Sequence, residues 1–508
     1  MKVLWLHLVD LAWLAPLLPL LVSAYAGIAL LACRRRDDAS EGPLAGLMVW
    51  GMGAASALLA ALLAGALRWG WPETVPGPLW LAAGDWSVRL SFLLDALSLP
   101  VALLVAVSGG LVARFSQHYL HRESGYHRFF MLLGVFLGGM QLLVLAGNAL
   151  LTFVGWELCG IASFLLIGYA WQRPVATGHA LFAFVTNRIG DTALLFGLGL
   201  AVAWVGSVAW ADLLAPGQLS RVDARILALG FVLAALVKSA QLPFTPWLAR
   251  AIEGPTPSSA IFYGAILVHA GVFLLLRLFP LLVQVPDLLL ALVMVGALTA
   301  AYAWLVGLVQ TDIKSSLIFA TVFQVGLMVL SIGLGWTTLA TVHLCLHAAW
   351  RLGHFLRSPS WLQVVTSRPA APPAWLVRQQ WLYTAALQRG WLDRLAEILL
   401  LLPTLGFAQD IRRLESRFID RMIGEVGQGK AIAPGRPLVT ADGVPGRTLA
   451  ALSALCQRLE DRLLLRGRGG LAEQALRQLG AYLRTLEGLL EQPRYLMMAV
   501  MATFVVIL

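Results

Sequence analysis

Three features of the 508-residue sequence predict an all-α, polytopic membrane protein. The chain is 59% hydrophobic and only 13% charged, its mean hydropathy is +0.78, and apolar runs of about 17–25 residues recur over roughly the first 360 positions. Soluble proteins are roughly 45–50% apolar and about 25% charged, so burial in one aqueous domain does not account for this composition. Runs of that length match what a helix needs to cross a hydrocarbon layer of roughly 30 Å. The sequence has no alternating ten-residue strand pattern of the barrel kind, and an open sheet cannot satisfy its backbone in lipid.

Taken in order, the candidate spans are 11–33, 44–67, 91–113, 128–146, 148–170, 181–206, 224–251, 256–279, 287–309, 312–334 and 336–357. The first, Leu11–Cys33, is too long for the apolar core of a signal peptide and lacks a small-x-small cleavage site, so it is read as a span. The seventh is expected to be broken, because "LVKSAQLPFTPWL" (236–248) sets a lysine in an apolar run and interrupts it with two prolines. An N-terminus outside puts "CRRRDD" (33–38), "ARFSQHYLHRESGYHR" (113–128), Arg173, Arg250, Lys314, Arg351 and Arg357 on or near one side. The opposite loops, such as "RWGWPETVPGPLW" (68–80), are mixed or acidic, so the basic side is predicted to be cytoplasmic. A bacterial-type inner membrane is the expected location.

The net charge of +10 reflects arginines in loops and in the C-terminal third. These are topology signals rather than a nucleic-acid surface. Cys33, Cys159, Cys345 and Cys456 lie far apart without CxxC or Cys/His spacing, which indicates neither a disulfide framework nor a metal site.

Four regions are expected: 1–90 with the first helices and an external loop, a helical core over 91–358, a linker and interfacial segment over 359–446, and 447–508. Composition changes at the proline-rich "TSRPAAPPAW" (366–375). Ile398–Leu405 is apolar but too short to span, which suits an interfacial helix. Residues 447–492 place leucine and alanine at helical spacing between arginine and glutamate, with Gly467–Gly470 as an interruption, and the final "YLMMAVMATFVVIL" is read as a short apolar tail that reaches into or across the bilayer.

Ionisable groups inside spans cost roughly 2.5–3.5 kcal/mol each on insertion scales and usually face a partner or a hydrated path. Glu157 lies nine residues after Asn148, near mid-membrane; Lys238 sits at the break in the seventh span, His269 in the eighth, and Lys314 starts the tenth. His343, His347 and Arg351 recur every four residues in the eleventh and so share one helix face. Bland readings stand beside these. Glu157 and Lys238 also suit a structural tie between helices, His269 a packed core histidine, and Lys314 a snorkelling side chain. Asp95 and Asp191, close to expected span ends, suit helix caps. The series as a whole suits proton transfer, since a buried lysine loads or releases its proton as a nearby charge moves, and histidines titrate near neutrality.

The stretches "GYHRFFMLLGVF" (125–136), "GWELCGIASFLLIGYAWQRP" (155–174), "FVTNRIGDTALLFGLG" (184–199), "LVKSAQLPFTPWLARAIEGPTPSSA" (236–260) and "TDIKSSLIFATVFQVGLM" (311–328) resemble, in order, the antiporter-like proton-translocating subunits of respiratory complex I, of subunit L type, and related Mrp subunits. The resemblance implies inverted five-helix repeats, each with a broken helix, around an axis of lysines, histidines and a glutamate. It assigns that axis to Glu157, Lys238, Lys314, His343 and His347, with Arg351 where the family usually has lysine. Tyr263 stands at the usual eighth-helix histidine position and His269 comes later. After "HAAWRLGHFLRSPSWL" the pattern is lost, so the second repeat is expected to be truncated.

The implied function is proton conduction within a complex I-like assembly, coupled to chemistry in other subunits. No cofactor motif is present, so NADH-quinone oxidoreductase activity would belong to the whole complex. The rivals are the membrane subunit of a DAB-type inorganic-carbon accumulation system with a zinc-binding, carbonic-anhydrase-like cytoplasmic partner, an Mrp-like cation/proton antiporter, and a non-conducting scaffold.

Overall fold

The computed structural model describes residues 2–31, 38–72, 74–83, 86–217, 219–358, 371–414 and 480–481. The chain divides after Ala396 into two units, each described by itself.

In the first unit the helices follow the apolar runs. They are α1 (Lys2–Val9), α2 (Leu14–Leu31), α3 (Asp38–Trp69), α4 (Ser98–Tyr119), α5 (Tyr126–Leu145), α6 (Ala149–Ile167), α7 (Pro174–Leu200), α8 (Trp210–Leu213), α9 (Arg221–Lys238) and α10 (Pro246–Arg250). After these come α11 (Thr256–Ser259), α12 (His269–Arg277), α13 (Phe279–Leu282), α14 (Pro286–Gly307), α15 (Ile313–Gly333) and α16 (Thr337–Leu356). Among the described residues, eight helical stretches are long and apolar enough to cross a membrane. The other expected spans appear as α2, as α9 with its charged first turn, and as α16 with its histidines and arginine. The protein is an all-α, multi-pass membrane bundle.

Polar caps set several helix starts. Asn148 Oδ1 accepts from Leu151 N at 2.7 Å to open α6, Ser220 Oγ from Asp223 N at 3.2 Å to open α9, and Asp312 Oδ2 from Ser315 N at 2.8 Å to open α15. Proline begins α7 and α14, where its missing N–H costs nothing. In α5, 83% of the most apolar stretch is buried, against 33% in α14, so α5 is central and α14 peripheral.

Two departures from the sequence expectation concern local structure. Between α3 and α4 the loop forms two small antiparallel ribbons, β1 (Thr74–Val75) with β4 (Phe92–Leu93), and β2 (Leu79–Ala83) with β3 (Trp86–Arg89). Asn148 ties this cover to the bundle, donating from Nδ2 to the Arg89 carbonyl at 2.9 Å. The second departure is a break in the eighth span. A π-helical stretch, Ala260–Ala265, follows α11 and ends at Ile266 with φ −136° and ψ −54°, and α12 starts only at His269. Gly264 permits this, since a Cβ there would stand 3.2 Å from Leu352 Cα of α16.

After α16 the first unit continues with α17 (Ala374–Arg378), α18 (Gln380–Leu387) and α19 (Leu392–Ala396). The described part of the second unit, apart from 480–481, is a π-helical turn, Glu397–Leu401, leading into α20 (Leu402–Leu414); the turn and the first residues of α20 together cover Ile398–Leu405, the stretch expected to be an interfacial helix. Residues 359–370 of the expected linker, the arginine run at 33–37, the amphipathic 447–492 apart from 480–481, and the apolar tail lie outside the described residues.

Candidate functional site: a buried ionic cluster and a histidine chain

Glu157 sits nine residues into α6, roughly 13–14 Å along the helix from its cap. Its side chain is buried, and Oε2 accepts from Arg188 Nη1 of α7 at 2.8 Å. The other guanidinium nitrogen, Nη2, lies 2.6 Å from Asp191 Oδ2, one helical turn on. Asp191 Oδ1 accepts from the indole N–H of Trp156 at 2.6 Å, and Lys238 Nζ lies 4.8 Å from the centre of the Trp156 ring. A Cβ placed on Gly160 would stand 3.2 Å from Arg188 Nη2 and 3.6 Å from Lys238 Nζ, so the absence of a side chain there lets both cations approach α6.

Lys238 is the last residue of α9 and 1% exposed. A cation at a helix C-terminus meets the negative end of the macrodipole. No hydrogen bond or ion pair to its ammonium is formed among the described residues. The carbonyls freed by the break are met by side chains. Trp247 Nε1 donates to the Val237 carbonyl at 2.9 Å, Gln241 Nε2 to Ser239 at 2.9 Å, and Thr245 Oγ1 to Ala240 at 3.1 Å. This satisfies groups that a helix end otherwise leaves orphaned. Ser239 Oγ also donates to the Val268 carbonyl at 2.8 Å, joining the residue after Lys238 to the residue before His269.

His269 Nε2 and His347 Nδ1 are 3.0 Å apart, and Arg351 Nε donates to His347 Nε2 at 3.5 Å. His343 follows on the same face of α16, its ring centre 6.1 Å from that of His347, and its Nε2 is 2.8 Å from Gln324 Oε1. Lys314 is not drawn into this chain. Its ammonium donates to Thr256 Oγ1 at 2.9 Å, and Thr256 in turn lies 3.0 Å from Tyr119 Oη. Buried polar atoms without a hydrogen-bond partner among the described residues gather along 241–269: Gln241 Oε1, Ser258 Oγ, Ser259 Oγ, Tyr263 Oη and His269 Nδ1.

Arg188, Trp156, Gln324 and Thr256 were not singled out by the sequence reading, and Asp191 had been read as a cap. α7 begins at Pro174, seven residues before the expected start, which moves Asp191 toward the middle of the helix. The available signal was an arginine and an aspartate three apart in an otherwise apolar run. Asp95 does act as a cap: Oδ1 accepts from Ser98 N at 2.7 Å and Leu97 N at 3.1 Å, and its carboxylate pairs with Arg277. Burial pushes the Asp95 carboxyl up, but Arg277 and Ser98 outweigh it, and the group lies below the usual carboxylate range.

Comparison with known proteins supplies the lineage. Residues 146–368 match the membrane domain of the NADH:quinone oxidoreductase/Mrp antiporter family, and residues 80–130 match the N-terminal region of chain 5 of complex I. The chain belongs to this family. It is 39% identical over 354 residues to NADH-quinone oxidoreductase subunit L of Mycobacterium tuberculosis, covering 68% of this chain and 54% of that protein. It is 35% identical over 361 residues to NAD(P)H-quinone oxidoreductase chain 5 of a Picosynechococcus species, covering 70% and 54%. The chain thus spans about half the length of these antiporter-family relatives. A chain in the structure of the Mrp complex from a Dietzia species shares the fold, with a TM-score of 0.59 and 23% identity, covering 98% of this chain and 63% of that one.

Proposed function

We propose that the chain is a proton-conducting membrane subunit of a complex I-like, multi-subunit assembly, with its ion movement driven by chemistry in partner subunits. The observation that carries this reading is Lys238: an ammonium 1% exposed, at a helix break, without an acceptor of its own among the described residues. The two carboxylates of the cluster, Glu157 and Asp191, are instead shared by Arg188. At an effective dielectric of about 20, unit charges roughly 4 Å apart interact by about 4 kcal/mol, enough to move a proton on or off a buried amine. When Arg188 shifts toward Asp191, Glu157 is released to stabilise charge on Lys238. When Arg188 returns, that stabilisation is withdrawn.

The Ser239–Val268 bond holds the end of α9 beside the start of α12; water between them would carry the proton on to His269 and His347, which pass protons by exchanging donor and acceptor roles. The partnerless hydroxyls and amide along 241–263 are groups of the kind that bind ordered water in protein interiors, which suits a hydrated link. His343 and Gln324 are only half-buried, so the chain ends where a neighbouring subunit could continue it. The basic loops support an N-terminus outside, with a bacterial-type inner membrane as the proposed location.

Glu157→Gln and Lys238→Met test the reading in inverted vesicles carrying the native assembly. Proton translocation is expected to fall about 100-fold, with the complex intact. Unchanged translocation would make the chain a scaffold. Subunits recovered with the chain in mild detergent sort the assembly: flavin and iron–sulfur proteins indicate a complex I-like machine, and a lone zinc protein the carbon-accumulation alternative.

A further inference from the structure

The chain beyond α16 packs back on the helix bundle. Leu376 of α17 and Ala386 of α18 are fully buried in a cluster with Val309, edged by Leu305 and Leu308, and Trp375 stacks on Trp304 with ring centres 5.9 Å apart. Three consecutive residues then turn left-handed: Arg389 at φ 51°, Gly390 at 63° and Trp391 at 55°. Such backbone is strained for a non-glycine residue and persists only where its surroundings enforce it. Here Tyr302 Oη donates to the Arg389 carbonyl at 2.9 Å, and the Arg389 guanidinium lies 5.5 Å from the centre of the Phe319 ring. The turn aims α19 so that Asp393 Oδ1 accepts from Arg250 Nε at 3.2 Å, while Oδ2 lies 3.8 Å from Arg389.

Arg250 is the last residue of α10, the five-residue helix that follows the break after Lys238. Its guanidinium lies 4.0 Å from the centre of the Phe182 ring on α7, the helix that carries Arg188 and Asp191. A helix this short cannot hold itself, because nucleation is unfavourable and few bonds follow it. Its position is set by its tertiary anchors. They include Trp247 on the Val237 carbonyl at one end, and Arg250 between Phe182 and Asp393 at the other.

We propose that Asp393 is a positioning residue that clamps α10 through Arg250 and so fixes the geometry of the break at which Lys238 is presented. The clamp stands on these contacts; only its consequence for proton movement rests on the reading under Proposed function.

Hydrogen exchange of the full chain in lipid nanodiscs tests it. In Asp393→Asn, amides of 239–253 are expected to exchange about tenfold faster than in the wild type, with α5 unchanged. Asp393→Glu, which keeps the charge, is expected to recover most of that protection. Wild-type protection over 239–253 in Asp393→Asn overturns the proposal, and so does an equal loosening of α5, which would mark a general loss of stability. If Asp393→Asn yields no folded protein, Arg250→Gln removes the same ion pair from the other side and is judged by the same two results. Exchange requires no conduction, so failure of the proton-transfer reading leaves this test valid, and failure of the clamp leaves that reading untouched.

Discussion

The two polar regions of the bundle are built on different principles. Around Glu157 the groups are formally charged and of both signs: two carboxylates share one guanidinium, and a lysine stands nearby without an acceptor among the described residues. Around His347 the partners among the described residues are other histidines, an amide and an arginine, with no carboxylate among them. A mixed-sign cluster can hold a proton at a defined place, because shifting one charge changes the balance for the rest. A carboxylate-free histidine chain gains nothing by holding extra positive charge beside Arg351, but each ring can receive a proton on one nitrogen as it gives one from the other. Under the proposed function the first region loads a proton and the second relays it; the Ser239–Val268 bond holds the two side by side.

The largest effect expected from breaking this contrast is at Arg188. Arg188→Gln leaves two buried carboxylates facing each other, so proton translocation should fall as far as in Glu157→Gln. Removing one partner of a buried ion pair costs about 3–5 kcal/mol, an upper bound here because Arg188 is 32% exposed. Denaturant titration of the purified chain measures that loss. Next is His347→Phe, which removes the imidazole that stands between His269 and His343. Translocation in vesicles should drop about tenfold, with normal assembly.

Arg351 should give a smaller effect. Guanidinium keeps its proton, so Arg351 acts as a fixed charge, and Arg351→Lys should conduct better than Arg351→Ala. Equal loss in both variants, at normal expression, would remove charge as the reason for this residue.

The smallest effect lies outside the spans. Arg277 and Ser98 hold the Asp95 carboxyl below its ordinary range, despite burial that pushes it up. A carboxyl with a depressed folded value contributes stability that is present above the unfolded value, about 3.9, and is lost as pH falls through the folded value. Thermal melts of wild type and Asp95→Asn should therefore differ by about 1 kcal/mol at neutral pH and converge in acid. A constant difference down to low pH would contradict the assignment.

Helix identity and order were legible in the sequence because a span is a long-range average of hydropathy, insensitive to any single residue. Glu157, Lys238 and the histidines stood out for the same reason, as costly exceptions in apolar runs. Arg188 and Asp191 were equally exceptional, but their place in the membrane depended on where α7 begins, and Pro174 sets that start earlier than hydropathy alone suggests. The break before His269 was not legible, because Ala260–Ala265 has an ordinary helical composition and its π geometry depends on close packing of Gly264 against Leu352. The hold of Asp393 on Arg250 joins residues 143 apart across a left-handed turn, which no periodicity in the sequence could reveal.

The account turns on whether Lys238 gives up and regains its proton or merely supplies a positive charge. Proton translocation by Lys238→Arg, in vesicles with wild-type levels of assembled complex, decides between these, since arginine keeps the charge but does not release the proton. Loss as complete as in Lys238→Met is the predicted result. Translocation at the wild-type rate would contradict it.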